Sequence, residues 1–262
     1  MTTIERVLAP NPGPFTGPGT NTYVIESGGE ALILDPGPII VPHLEAIRVA
    51  LSGVTPVGVV VTHTHPDHAP AANGLGDELD VPVFGFAPGD GFVPSVTIED
   101  GASVGFGDTA LTAVHTPGHT SDHLCFLLGH SLFTGDHIMG GSTVIIEDAA
   151  AYMASLERVQ ALDPAHLYPG HGPELPDARE VVESYIAHRI ERERQVLAAV
   201  GAGADTIGDI VDVVYGGLEQ SLRDAATMQV HTQLVKLSNE GRVSLGAGGA
   251  HGATTVELVE RP

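Results

Sequence analysis

Six consecutive positions, His63-Thr64-His65-Pro66-Asp67-His68, carry three imidazoles and one carboxylate. They follow the apolar segment 57–62, which predicts a buried strand. Clustered histidines repel one another once protonated, and carboxylates are seldom buried without a partner. A divalent cation resolves both problems, because neutral imidazole and ionised carboxylate are ligands that zinc and similar ions prefer. The spacing therefore predicts a metal site at the end of this strand.

Further histidines and aspartates lie where a predicted strand gives way to a turn. His119 follows Thr116-Pro117-Gly118, and His171 follows Tyr168-Pro169-Gly170. Asp35 follows Leu32-Ile33-Leu34, and Asp136 follows Phe133-Thr134-Gly135. α/β folds place their site residues at the loop ends of strands. We therefore expect these residues to join the first cluster.

The elements that would position this cluster alternate between strands and helices. Strands are predicted for residues 22–26, 31–35, 57–61, 81–85, 111–115, 123–128 and 131–134, and helices for 42–51, 152–161 and 177–200. This alternation is typical of a layered α/β fold. In the last helix, Asp177 is expected to cap the N-terminus. Its buried face is expected to comprise Val182, Ile186, Ile190 and Leu197.

The pattern changes after Gly201-Ala202-Gly203. Helices are predicted for residues 207–215 and 225–237, followed by strand-like segments at 243–245 and 254–258. Helices followed by a small hairpin indicate a winged-helix-like unit. We therefore expect a catalytic domain over residues 1–202 and a winged-helix-like domain over residues 203–262.

Composition narrows the function classes. The 262 residues include 33 acidic and 11 basic side chains, giving a net charge of −22. Such a surface repels nucleic acids and anionic membranes. No segment is long and apolar enough to span a membrane, and the N-terminus does not resemble a secretory signal, so a cytoplasmic protein is expected. The sequence does not distinguish a monomer from a homodimer.

These motifs resemble, in order and context, the five motifs of the metallo-β-lactamase superfamily. The resemblance extends from about Asn11 to His171 and implies an α/β fold, an αββα sandwich with metals at the edge of two packed sheets. It implies one ion held by His63, His65 and His119, a second held by Asp67, His68 and His171, and Asp136 as the bridge between them. Asp35 would orient a ligand histidine from behind.

The chemistry that this ligand set implies is hydrolysis. Two cations about 3.5–4 Å apart can share a hydroxide, while one of them polarises the carbonyl or phosphoryl oxygen under attack. Zinc is the expected metal, with iron and manganese as alternatives, because ligand types alone do not decide. Asp67, or a water molecule that it holds, is the candidate for protonating the leaving group.

Other segments resemble the lactamase-beta-2-like subgroup, often grouped with glyoxalase II. They are residues 11–15 (Asn-Pro-Gly-Pro-Phe), 19–23 (Gly-Thr-Asn-Thr-Tyr) and 185–189 (Tyr-Ile-Ala-His-Arg). Asn21 and His188 are candidate substrate contacts within them. True β-lactamase activity is disfavoured, because zinc β-lactamases do not usually carry the bridging aspartate. Glutathione thioesters are also disfavoured, because residues 137–141 (His-Ile-Met-Gly-Gly) replace the usual Cys-Gly-Arg-type loop.

Two enzymatic activities remain. One is hydrolysis of a small or carrier-linked ester or thioester, and the other is cleavage of single-stranded RNA. The C-terminal part has only Arg223, Lys236, Arg242 and Arg261 as basic residues, too few for a phosphate footprint. The acyl substrate is therefore favoured. An inactive scaffold or partner-binding protein is the third alternative, and the intact ligand set argues against it.

Overall fold

The structure is a computed structural model that describes residues 2–141, 144–246 and 254–259. The strands are β1 (Thr2–Leu8), β2 (Asn21–Ser27), β3 (Glu30–Leu34), β4 (Thr55–Val60), β5 (Val83–Gly85), β6 (Val96–Thr97), β7 (Ser103–Phe106), β8 (Thr109–His115), β9 (Leu124–Leu128), β10 (Ser131–Gly135), β11 (His166–Pro169), β12 (Val243–Leu245) and β13 (Val256–Leu258). The helices are α1 (Val41–Ala50), α2 (Ala72–Leu79), α3 (Ala149–Leu162), α4 (Ala178–Gly201), α5 (Ile207–Val214) and α6 (Gln220–Asn239).

Two mixed sheets form the centre of the molecule. One has the order β1-β2-β3-β4-β5-β6, and the other has the order β11-β10-β9-β8-β7. In the first sheet, β3 and β4 are parallel. In the second, β10 and β11 are parallel, and β8 runs the same way because both β8 and β10 are antiparallel to β9. Within each sheet, the strands that precede the predicted site residues therefore end at one edge.

Alternating side chains explain why the sheets are layered between helices. Successive residues of a strand face opposite sides of the sheet. In β3, Leu32 and Leu34 enter the core between the two sheets, whereas Ile33 packs in the core shared with α1 and α2. In the second sheet, Phe126 faces the first sheet and Cys125 faces α3 and α4. The predicted αββα sandwich is confirmed.

The C-terminal part builds a core of its own from α5, α6, β12 and β13. Helix α4 contributes to two cores: Val182 packs with α3, and Val196 packs with α5 and α6. Gln229 of α6 also donates a hydrogen bond from Nε2 to the carbonyl oxygen of Ile146 at 3.1 Å. The C-terminal unit is thus joined to the sandwich by a shared helix and by this contact.

The structure corrects the prediction for α4 in two respects. Ile190 is 58% exposed, and Arg189 takes the buried position instead. Ile190 lies eight residues after Val182 and so about 80° away around the helix, whereas Arg189 lies within about 20°. Asp177 is at the N-cap position, but its side chain makes no capping hydrogen bond. Among the described helices, none is long and apolar enough to cross a bilayer.

Candidate metal centre

The predicted ligand residues converge at the strand ends of the two sheets. Asp35 and segment 63–68 follow β3 and β4, while His119, Asp136 and His171 follow β8, β10 and β11. They form two groups. Within each group, every ligand atom lies within 4.8 Å of every other. The first group is His63, His65, His119 and Asp136, and the second is Asp67, His68 and His171.

In the first group, three ring nitrogens point to one place. His63 Nε2 lies 2.9 Å from His65 Nδ1 and 3.3 Å from His119 Nε2, and the latter two atoms are 3.0 Å apart. Nitrogen ligands about 2.0–2.1 Å from a zinc ion in tetrahedral geometry stand about 3.3 Å from one another. The three nitrogens therefore have the spacing of a metal site.

The second group has the same compactness with a carboxylate included. His68 Nε2 and His171 Nε2 are 3.3 Å apart. Asp67 Oδ2 lies 3.4 Å from the former and 3.2 Å from the latter. An imidazole pair and one carboxylate oxygen at these separations also fit a divalent cation.

Asp136 lies between the two groups. Its Oδ2 is 3.5 Å from His119 Nε2 and 4.0 Å from His63 Nε2. Its Oδ1 is 3.3 Å from both His68 Nε2 and His171 Nε2. Each carboxylate oxygen therefore faces a different group, which is the geometry that a bridging ligand requires.

Hydrogen bonds behind the rings fix which nitrogen faces the centre. Nδ1 of His119 donates to the carbonyl of Ile145 at 2.6 Å, and Nδ1 of His171 donates to the carbonyl of Gly19 at 3.1 Å. Nδ1 of His68 donates to Asp35 Oδ2 at 2.9 Å. Because each Nδ1 carries the proton of such a bond, Nε2 is the atom left for a ligand.

Thr62 fixes His63 in the same way. The Thr62 hydroxyl donates to Asp35 Oδ2 at 2.8 Å and lies 2.9 Å from His63 Nδ1. Since the hydroxyl proton is used on Asp35, Nδ1 of His63 must be the donor in the second bond. Asp35 also accepts from the Thr62 backbone N–H at 2.7 Å. The carboxylate thereby orients His68 directly and His63 through Thr62.

The pKa values of His63 and His171 are shifted in opposite directions. Burial lowers the pKa of His63 well below its ordinary value, and the neighbouring His68 and His119 lower it further. Burial also lowers the pKa of His171, but hydrogen bonds with Asp136 and Asp67 outweigh this and raise it to about 9. His63 therefore offers a neutral nitrogen, whereas His171 is surrounded by negative charge.

Sequence reasoning missed Thr20. Its hydroxyl donates to Asp67 Oδ2 at 2.8 Å. Asn11 holds Thr20 from behind, because its Nδ2 donates to the Thr20 hydroxyl at 2.9 Å and its Oδ1 accepts from the Thr20 N–H at 2.9 Å. Thr20 belongs to the segment 19–23 that carries the subgroup resemblance, but nothing in the spacing separates this hydroxyl from its neighbours.

The two predicted substrate contacts lie in different surroundings. Asn21 is 1% exposed, and its Nδ2 donates to the carbonyls of Pro169 and Gly172 on either side of His171, at 2.8 and 2.9 Å. It braces the His171 loop and presents no open surface. His188 is exposed and lines a cavity beside α4 together with Tyr185 and Arg189.

Comparison with known proteins identifies the family to which the chain belongs. The sequence model of the metallo-β-lactamase superfamily matches residues 15–171, and that of the β-lactamase-associated winged helix domain matches residues 206–249. The chain belongs to the metallo-β-lactamase superfamily and is a hydrolytic enzyme of that family with a C-terminal winged-helix domain.

Relatives align over nearly the whole chain. A β-lactamase-like protein 2 homologue of Caenorhabditis elegans is 33% identical over 92% of this chain and 85% of its own length. An atrochrysone carboxyl ACP thioesterase, AgnL7 of Paecilomyces divaricatus, is 32% identical over 92% of this chain and 81% of its own length. A metallo-β-lactamase family protein from Thermus thermophilus shares the fold, with a TM-score of 0.80 and 21% identity over 97% of this chain and 98% of that chain.

Proposed function

We propose that this protein is a binuclear metal-dependent hydrolase that acts on a carrier-linked thioester or ester. The position of Asp136 carries the proposal, because one carboxylate oxygen faces His119 and the other faces His68 and His171. A carboxylate that served a single ion would not need both oxygens directed at separate imidazole groups. His63, His65 and His119 would hold one ion, and Asp67, His68 and His171 would hold the other.

Two divalent ions, when bound, supply Lewis acidity that activates water and polarises the substrate carbonyl. The chain's own residues supply position and proton transfer. Asp35 and Thr62 hold the rings of His68 and His63 in place. The side chain of Asp67 is 23% exposed, so a leaving group can approach it. We assign protonation of that group to a water molecule held by Asp67, because a carboxylate that holds an ion has no proton to give. Zinc is the metal that we expect at both positions.

The acyl substrate is favoured over RNA by the relatives and by the charges of the winged-helix domain. AgnL7 is named as a thioesterase of an acyl carrier protein. In the described part of that domain, the basic groups are paired with carboxylates: Arg223 with Asp212, Lys236 and Arg242 with Glu193. Paired cations are poor contacts for phosphate, because the carboxylate competes for the same donors.

Metal content tests the binuclear site. We expect about two metal ions per chain in protein purified without added metal. Inductively coupled plasma mass spectrometry measures this number and also shows whether the metal is zinc, iron or manganese. One ion per chain at saturation would contradict the proposal.

Thiol release tests the substrate. We expect acyl thioesters of pantetheine to be hydrolysed by the metal-loaded protein, with a thiol reagent reporting the freed sulfhydryl. The His65→Ala variant should lose this activity. Cleavage of a single-stranded RNA, lost in the same variant and occurring without any thioester hydrolysis, would replace the acyl substrate by the phosphodiester.

A further inference from the structure

A cavity of about 380 Å³ lies between α4 and residues that follow Asp136 in the chain. Ser184, Tyr185, His188 and Arg189 line it from α4, and Met139 and Val144 line it from the opposite side. The volume is within the range of small-ligand sites. Among the described residues that line it, none is acidic, although the chain carries 33 acidic side chains.

The wall opposite α4 belongs to the same backbone that supports the metal ligands. Gly140, next to Met139, donates its N–H to the carbonyl of His171 at 2.9 Å. The carbonyl oxygen of Ile145, next to Val144, accepts a hydrogen bond from Nδ1 of His119, with 2.6 Å between the two atoms. A molecule in the cavity therefore lies next to residues that touch both ligand groups.

Arg189 is the unusual feature of this cavity. The residue is 7% exposed, and no described carboxylate forms an ion pair with it. Its Nη2 donates to the Val144 carbonyl at 2.9 Å, and its guanidinium lies 5.0 Å from the centre of the Tyr152 ring. Its Nε has no hydrogen-bond partner within the part of the chain that the structure describes. Buried cations are normally paired, but Arg189 has no counter-charge among the described residues, and a bound anion could provide one.

We propose that the cavity binds an anionic group of the substrate, a carboxylate or a phosphate, and that Arg189 is the residue that selects it. The inference rests on the proposed acyl-hydrolase function and names the part of the substrate that the site recognises. The anion has two possible sources: a carboxylate on the acyl group, or the phosphate of a carrier arm. Planar guanidinium groups suit both, because they offer two parallel N–H donors.

Arg192 provides a matched control on the same helix. It also stacks on a tyrosine, 4.4 Å from the centre of the Tyr215 ring, and it also donates to a backbone carbonyl, that of Val214. It does not line the cavity. A purely structural arginine at position 189 should therefore behave like Arg192 when substituted.

A two-by-two set of thioesters tests the proposal and separates the two sources. Succinyl and butyryl groups differ in the acyl carboxylate, and pantetheine and 4′-phosphopantetheine differ in the arm phosphate. In the metal-loaded wild type, we expect kcat/KM to favour the anionic member of one pair. In Arg189→Gln, we expect that preference to fall by about tenfold or more. The readout is the ratio of kcat/KM between the two members of a pair, because the substitution also removes the hydrogen bond to Val144 and can lower kcat/KM for every substrate. Arg192→Gln should retain the preference.

Direct binding separates failure of this inference from failure of the proposed function. Isothermal titration with succinate and with inorganic phosphate should show binding that Arg189→Gln loses, even if no thioester is hydrolysed. Equal loss of kcat/KM for all four thioesters, or no change for any, would overturn the proposal. If Arg189→Gln does not fold, Arg189→Lys keeps the charge but not the two parallel donors, and we expect it to lower the preference for the anionic member; an unchanged preference would overturn the proposal.

Discussion

The hydroxyl of Thr20 donates to Asp67 Oδ2, the same carboxylate oxygen that lies 3.2 Å from His171 Nε2. Since Asn11 donates to this hydroxyl, the proton of Thr20 is directed at Asp67 and at no other acceptor among the described residues. Thr20 therefore acts as a positioning residue that fixes the rotamer of a proposed metal ligand.

Replacing Thr20 tests this relationship. In Thr20→Val the bond to Asp67 is lost at nearly constant volume, and we expect the second ion to bind about 10- to 100-fold more weakly. Thr20→Ser keeps the hydroxyl and should bind nearly as wild type. Competition with a chromogenic chelator measures both affinities. Equal behaviour of the two variants would show that the hydroxyl does not hold Asp67.

Asp136 and His65 should differ in how many ions they affect. Asp136→Asn removes a charge shared by both groups, so we expect both ions to be lost on dialysis. His65→Ala removes a ligand of the first group alone, so about one ion per chain should remain. Mass spectrometry of the native protein counts the ions. Retention of one tightly held ion in Asp136→Asn would argue against bridging.

Gly170 should not tolerate a side chain. A Cβ at this position would lie 2.7 Å from Asp136 Oδ1 and 2.7 Å from His68 Cε1. We expect Gly170→Ala to cost about 1–3 kcal/mol of unfolding free energy and to displace the carboxylate, lowering metal occupancy. Gly74 in α2 has open space around its Cβ position, so Gly74→Ala should stabilise by about 0.5–1 kcal/mol. Urea unfolding compares the two.

Chelation should lower thermal stability. A ligand that binds only the folded state stabilises it in proportion to the logarithm of its concentration over its Kd, about 4 kcal/mol at 1,000 times Kd. For a chain of this size we expect the Tm to fall by about 10 °C on metal removal. Scanning calorimetry with and without chelator measures the shift, and Asp136→Asn should show little of it.

The convergence of the candidate ligands was largely predictable because these residues follow apolar strands at Gly- and Pro-containing turns. Asp35 is an example: the segment 32–34 predicts the strand, and the strand end fixes where the carboxylate lies. Cys125 is another example: it lies in the segment 123–128 that was predicted as a strand, and it is fully buried. Short-range pattern was sufficient in both cases.

Other features depend on contacts between distant segments, which pattern does not encode. The strand β1 was missed because one edge strand with polar residues such as Glu5 and Arg6 gives little apolar alternation. Arg189 lies in a charged stretch of α4, and only the packing of this helix against Tyr152 shows that the arginine is buried. The bond between Thr20 and Asp67 joins residues 47 positions apart.

The hydrogen bonds around Ile145 connect the winged-helix domain to the segment that holds His119. Val144 and Ile146, on either side of Ile145, have carbonyls that accept from Arg189 of α4 and from Gln229 of α6. Ile145 itself orients the ring of His119. A chain truncated after residue 202 would retain all seven of the proposed ligands and yet lose one of the two clamps on the peptide that aims His119. We therefore expect the isolated residues 1–202 to bind the first ion more weakly than the full chain does.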